Sequence, residues 1–247
     1  RYLPLPKYKT KYYYIMSEIN SYEELIDYLI KHKLTMVNKG EFNTILRHYN
    51  SLIDIEGDIV ECGVWRGGFS IFLSLVFRDK NIWVCDSYEG FQPLEGAKHQ
   101  YDKERHVPSY THNADGPLAI SLEEVQSYFT NFGLGDDPRI KYLKGFVKDT
   151  LPNSGIEDIS ILRVDVDAYS ATLEVLEELY PKVKTGGYVI FDDSCLYESL
   201  DAIKVYFKAN NIPYFLYHPE TDKKLDLNKS YTNDNSGFPA GCYIIKE

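Results

Sequence analysis

The chain has 247 residues, 44% of them hydrophobic, which is enough for one large α/β domain with a packed core. Lysine and arginine number 27 against 37 acidic residues, and the net charge of −10 disfavours nucleic acid and anionic membrane as partners. No apolar run approaches the ~18 residues that span a bilayer, and Cys62, Cys85, Cys195 and Cys242 form no CxxC or Cys/His cluster, so zinc and a disulfide framework are poorly supported. These features lead us to expect a reduced, cytoplasmic protein. Its start at Arg1 instead of Met reads as a trimmed or processed piece.

Residues 1–10 carry two prolines and no usable period, and read as an arm. Ser21 followed by Glu23 and Glu24 predicts a helix N-terminus, with Leu25, Ile26, Leu29 and Ile30 on one face. A second helix is expected through Phe42, Ile45, Leu46, Tyr49 and Leu52, so that residues 1–56 form an arm and helical extension ahead of a single unit, 57–247. From Asp58 short apolar runs alternate with helical stretches, the pattern of a parallel sheet covered on both faces. Strands are expected at 58–62, 82–86, 140–144, 159–165 and 188–192, and helices at 68–77, 122–132, 172–180 and 200–208. Two further runs, 214–217 and 241–245, predict a closing hairpin. The connection 89–120 is long for a compact domain and reads as an active-site lid.

Three constellations carry chemistry. In Asp58-Ile-Val-Glu-Cys-Gly-Val-Trp-Arg-Gly-Gly68 a buried strand runs into a glycine-rich turn that opens a helix, where Gly63 and Gly67 let a ligand approach backbone N–H groups. Trp65 replaces the second glycine of a dinucleotide GxGxxG, no Lys-Ser/Thr completes a P-loop, and Glu61 suits a ligand bearing an ammonium group. Asp86, at the end of the next strand, is placed to accept the ribose hydroxyls of an adenosine ligand, with Ser87 assisting. Asp165 and Asp167, then Asp192 and Asp193, end the fourth and fifth strands, so that their charges converge and call for a hard cation such as Mg²⁺.

The strings VECGVWRGG, VCDSYEGF, SLEEV, KDTLP, LRVDVDAY and GGYVIFDD, in this order, resemble the macrocin O-methyltransferase family over roughly Thr35 to Asp193. Members of that family methylate deoxysugar hydroxyls of antibiotics. The resemblance implies a class I methyltransferase fold, in which five β/α units end in an antiparallel hairpin, with S-adenosylmethionine, Mg²⁺, a small-molecule or sugar acceptor and a homo-oligomer. Carried over by position, Glu61, Gly63, Asp86, Ser87, Ser121, Gly145 and Phe146 line the cofactor, with Met36 from the Thr35-Met36-Val37 segment, while Asp165, Asp192 and Asp193 hold the metal and Asp165 borders both. Val166, Ala168, Ser170 and Ser194 depart from the family pattern, which puts the acceptor in doubt.

The mechanism implied is in-line methyl transfer to a hydroxyl, with Asp165 or Asp167 as base and His99, His106 and His112 of the long connection as weaker candidates. The competing readings are a nicotinamide-dependent oxidoreductase on a similar sheet and a non-catalytic scaffold that keeps the cofactor.

Overall fold

The computed structural model describes residues 19–91, 102, 118–227 and 237–247. The arm at 1–10, most of the 89–120 connection and its three histidines lie outside them.

Two helices open the described chain. In α1 (Tyr22–Lys31) the Ser21 hydroxyl accepts the Glu24 N–H, and in α2 (Lys39–Leu52) the Asn38 side chain accepts the Gly40 and Glu41 N–H groups. Both are side-chain N-caps, worth about 1 kcal/mol each. Then follow β1 (Asp58–Cys62), α3 (Gly68–Val76), β2 (Ile82–Asp86), α4 (Leu122–Asn131), β3 (Ile140–Lys144), the short α5 (Val147–Thr150), β4 (Ile159–Val164), α6 (Tyr169–Leu179), β5 (Val183–Phe191), α7 (Tyr197–Ala209) and β6 (Cys242–Ile245). The sheet order is β3-β2-β1-β4-β5-β6, parallel except for β6, which runs antiparallel to β5.

Burial follows position in the sheet. Every residue of the central strand β4 is buried, whereas the edge strand β3 is only partly covered. Helix α3 is buried on all sides, because the sheet covers one face and α1 and α2 cover the other. Phe42 of α2 packs against Phe69 and Phe72 at centroid distances of 4.8 and 4.9 Å, and the Tyr22 hydroxyl donates to the Leu75 carbonyl. Residues of the extension thus share one core with the sheet.

Three element starts moved by three residues or more: α7 begins at Tyr197 instead of 200, and the other two have a visible physical reason. Strand β5 starts at Val183, five residues before the expected 188, because its pairing with β4 slips between Ile159 and Ile161 and Gly186, at φ +82°, takes up the extra residues. Helix α6 starts at Tyr169 instead of 172: its N-cap Ala168 cannot cap, but the Asp102 carboxylate accepts the N–H groups of both Tyr169 and Ser170, at 3.0 and 3.1 Å. Asp102→Ala should therefore lower unfolding stability by about 1 kcal/mol in urea titration, and an unchanged midpoint would contradict this cap.

The expected hairpin is present in reduced form, as one antiparallel bridge between Tyr217 and Tyr243. Strand β6 is present, but 214–217 is not a strand: it supplies Tyr217, which makes isolated bridges to both Lys224 and Tyr243. The chain turns back at once, with Asp222 N–H on the His218 carbonyl and Leu225 N–H on Leu216, so Tyr217 pairs locally before it pairs with β6.

This edge is clasped to α2 through Asp222, whose Oδ1 takes Arg47 (2.9 Å), His48 (3.1 Å) and the Tyr243 hydroxyl (3.0 Å). Burial pushes the Asp222 carboxyl up, but these partners outweigh it and leave it at about 2. That lies below the unfolded value of ~3.9, so the clasp is complete above about pH 4 and is lost as pH falls towards 2. The melting-temperature gap between wild type and Asp222→Asn should accordingly close over that window. A gap independent of pH would show that the clasp does not depend on this charge.

Candidate active site

Gly63 ends β1 where the backbone must turn sharply. At φ +83° its missing Cβ would lie 1.6 Å from the Asp165 carbonyl oxygen, so the ends of β1 and β4 approach more closely than any side chain allows. The Gly63 N–H donates to the Cys85 carbonyl, and Gly67, at φ +77°, opens α3 without a side-chain cap. Val125 and Phe129 of α4 press on Gly67, and the Leu34 carbonyl takes the Gly68 N–H.

Asp86 anchors this turn from β2. Its Oδ2 accepts the Val64 and Trp65 N–H groups at 2.7 and 3.3 Å, and its Oδ1 accepts the Tyr88 N–H at 2.8 Å. Burial raises the Asp86 carboxyl, and these three backbone donors oppose that rise. Ser87 donates to the Gly90 carbonyl, Gly145 donates its N–H to the Asp86 carbonyl, Phe146 precedes α5, and Ser121 caps α4 by accepting the Glu124 N–H.

A cleft opens beside the turn, lined by Thr35, Met36, Val37, Glu61, Val64, Trp65, Phe69, Arg163, Asp165, Asp167 and Asp192. Of the residues selected from sequence, Met36, Glu61, Asp165, Asp167 and Asp192 face it, whereas Gly63, Gly67, Asp86 and Ser87 build the turn, and Ser121, Gly145 and Phe146 stand at the neighbouring element ends. Trp65, Tyr88 and Asp167 have positive φ of 47, 57 and 57°, so backbone strain collects around this site.

Sequence reasoning missed the residue at the centre of the charge distribution. Arg163, next to the last residue of β4 and with a side chain only 1% exposed, pairs with Glu61 (2.7 Å) and Asp165 (2.6 Å) through Nη1 and with Asp192 through Nη2. Glu41 of α2 lies 3.7 Å from Nη2 and is itself buried. The signal was an arginine inside the apolar run Ile-Ser-Ile-Leu-Arg-Val, because a charge in a strand covered on both faces must be paired. Glu61, expected to meet an ammonium group, already holds Arg163 and the Ser70 hydroxyl.

One guanidinium does not balance so many acids. Oxygens of Asp165, Asp167 and Asp193 lie within 4.8 Å of one another, and Asp193 Oδ2 also accepts the Asp167 N–H. Asp192 turns one oxygen to Arg163 instead. Burial, then the charge of Asp192, push Asp165 well above the carboxylate range, with Arg163 pulling back; burial and Asp167 do the same to Asp193. Ligand oxygens around Mg²⁺ lie about 3–4 Å apart. The donor set, all hard oxygen and, among the described residues, deficient in positive charge, therefore fits a divalent cation after a small contraction.

A family model described as Macrocin-O-methyltransferase (TylF) matches residues 31–220, which take in the turn, the cleft and all four aspartates. The chain belongs to the macrocin O-methyltransferase family. Within it, the mycinamicin III 3''-O-methyltransferase of Micromonospora griseorubida is 36% identical over 185 residues, 72% of each chain. A tetracenomycin rhamnosyl 4'-O-methyltransferase of Streptomyces olivaceus is 39% identical over 62% of this chain and 58% of its own length. The solved structure of the O-methyltransferase NovP aligns with TM-score 0.70 and 31% identity, over 86% of this chain and 81% of that one. This macrocin-type O-methyltransferase has the class I S-adenosylmethionine-dependent methyltransferase sheet, ending in an antiparallel strand. Among the described residues no helix is long and apolar enough to cross a membrane.

Proposed function

We propose that the protein transfers a methyl group from S-adenosylmethionine to a hydroxyl of a sugar acceptor in natural-product or glycan biosynthesis, assisted by Mg²⁺. The observation that carries this reading is the meeting, in one cleft, of the Val64–Gly67 turn with the aspartates that end β4 and β5. The sugar rests on the mycinamicin and tetracenomycin relatives, whose names specify sugar positions. The four cysteines are unpaired, three of them buried, which supports a reducing cytoplasm as its setting. Assembly as a homo-oligomer belongs to the same reading, and light scattering on the purified protein checks it.

Glu61, Gly63, Gly67, Met36 and Asp86 shape the methyl-donor site, with Ser87, Ser121, Gly145 and Phe146 at its border. Asp165 and Asp193, whose oxygens lie together with that of Asp167, hold the cation with the second oxygen of Asp192, the one not turned to Arg163; when bound, the ion would supply Lewis acidity to the acceptor hydroxyl. Asp167, close to Asp165 and Asp193 but on a strained turn facing the cleft, takes the hydroxyl proton as the oxygen forms its bond to the methyl carbon and the carbon–sulfur bond breaks. Trp65 and Phe69 wall the cleft beside the turn and exclude water from the transfer.

Calorimetry with S-adenosylmethionine, NAD and Mg²⁺ in turn tests the donor and metal assignments. Binding of the first and third with none of the second is expected. NAD binding, or no heat with S-adenosylmethionine, would overturn the reading.

A further inference from the structure

Arg163 touches acids from four separate elements: Glu41 on α2, Glu61 on β1, Asp165 just beyond β4 and Asp192 just beyond β5. The Phe69 ring of α3 covers its face, with the guanidinium carbon 4.6 Å from the ring centroid. A buried ion network of this kind is not in general a stability device, because well-packed apolar residues of similar volume often do as well or better. Its place at the edge of the cleft points to what it does to the acids. Asp165 engages it through Oδ2 and Asp192 through Oδ1, so each keeps a second oxygen. Both acids also line the cleft, and Asp165 belongs to the oxygen group with Asp167 and Asp193.

We infer that Arg163 is a positioning residue, a resident counter-cation that holds Asp165 and Asp192 at the cleft before the divalent ion arrives and sets its affinity by competing for those two carboxylates. The inference rests on the metal assignment proposed above. It has a definite sign. Removing the guanidinium leaves the acids with the divalent ion as their main counter-charge, so Mg²⁺ binds more tightly even though the site is less well arranged. Removing Glu61, which takes part of the guanidinium's charge, turns more of that charge on Asp165 and Asp192, so Mg²⁺ binds more weakly.

The experiment uses the whole chain with Mg²⁺ alone, read by calorimetry and by melting in EDTA against Mg²⁺. Arg163→Met should bind Mg²⁺ on the order of tenfold more tightly than wild type, gain more melting temperature from it, and yet turn over more slowly. A residue that only supported the fold would lose stability equally with and without Mg²⁺, with affinity unchanged or reduced, and that result would overturn the inference. If Arg163→Met does not fold in either condition, Glu61→Gln decides: Mg²⁺ binding weakened severalfold supports the competition, and unchanged binding refutes it. A wild-type protein that binds no Mg²⁺ removes the metal assignment and the inference together, an outcome separate from any seen only in the variants.

Discussion

Replacing Asp167 with asparagine is expected to lower the turnover of methyl transfer by roughly 10²–10⁴-fold, the usual contribution of a positioned base, while S-adenosylmethionine affinity stays near the wild-type value. The asparagine is nearly isosteric, so the Asp193 contact to the residue 167 N–H, a backbone interaction, is retained. The strained φ of +57° is also tolerated, since asparagine adopts the left-handed region more readily than most residues. What is lost is a proton acceptor facing the cleft. Steady-state rates at saturating donor and acceptor measure the effect. A variant within a factor of about three of wild type would move the base to another carboxylate, with Asp165 the first candidate.

Gly63→Ala should be the most damaging single added methyl group among the described glycines. The added carbon would sit 1.6 Å from the Asp165 carbonyl oxygen and 2.6 Å from its carbonyl carbon, both backbone atoms that no rotamer change can move. Positive φ adds its own cost of about 1–3 kcal/mol. Relief requires the ends of β1 and β4 to separate, which breaks the Asp165 N–H bond to the Cys62 carbonyl and shifts Asp165 away from Arg163. We expect a loss above about 3 kcal/mol in unfolding stability, within the range of severe overpacking and strained-backbone mutants, together with loss of S-adenosylmethionine and Mg²⁺ binding. A variant that melts within a few degrees of wild type and binds both would mean that this turn is far more plastic than its geometry implies.

Much of this architecture can be read from the chain because its signals are local. The Asp58–Cys62 run, the glycines that follow and the acidic residues ending successive strands each announce themselves within a few positions. Parallel neighbours then put those ends side by side, as the pairings of β1 with β2 and β4, and of β4 with β5, confirm. The features that escaped are long-range. Helix α6 is capped by Asp102, 67 residues from Tyr169, and no window around Ala168 contains that information. The pairing of Tyr217 is limited to isolated bridges with Lys224 and Tyr243, an outcome settled only in three dimensions. Glu41 sits in what reads as an ordinary amphipathic helix, yet α2 delivers it to within 3.7 Å of a guanidinium 122 positions later.

Charge was legible in sign but not in allocation. Four aspartates at two strand ends predict a cation; they do not reveal that Arg163 already occupies one side of Asp165 and Asp192. Nor does the sequence show Asp86 engaged with three backbone N–H groups of the turn and its own strand end, a role alongside the ribose contact expected of it.

The most direct test of the account follows an isotope-labelled methyl group from S-adenosylmethionine to a panel of free and aglycone-linked deoxysugars, with Mg²⁺ present or stripped by EDTA. Label on a sugar oxygen, abolished by EDTA and restored by Mg²⁺, is the predicted result. Transfer to a sugar that continues undiminished in EDTA and survives Asp165→Asn would contradict it.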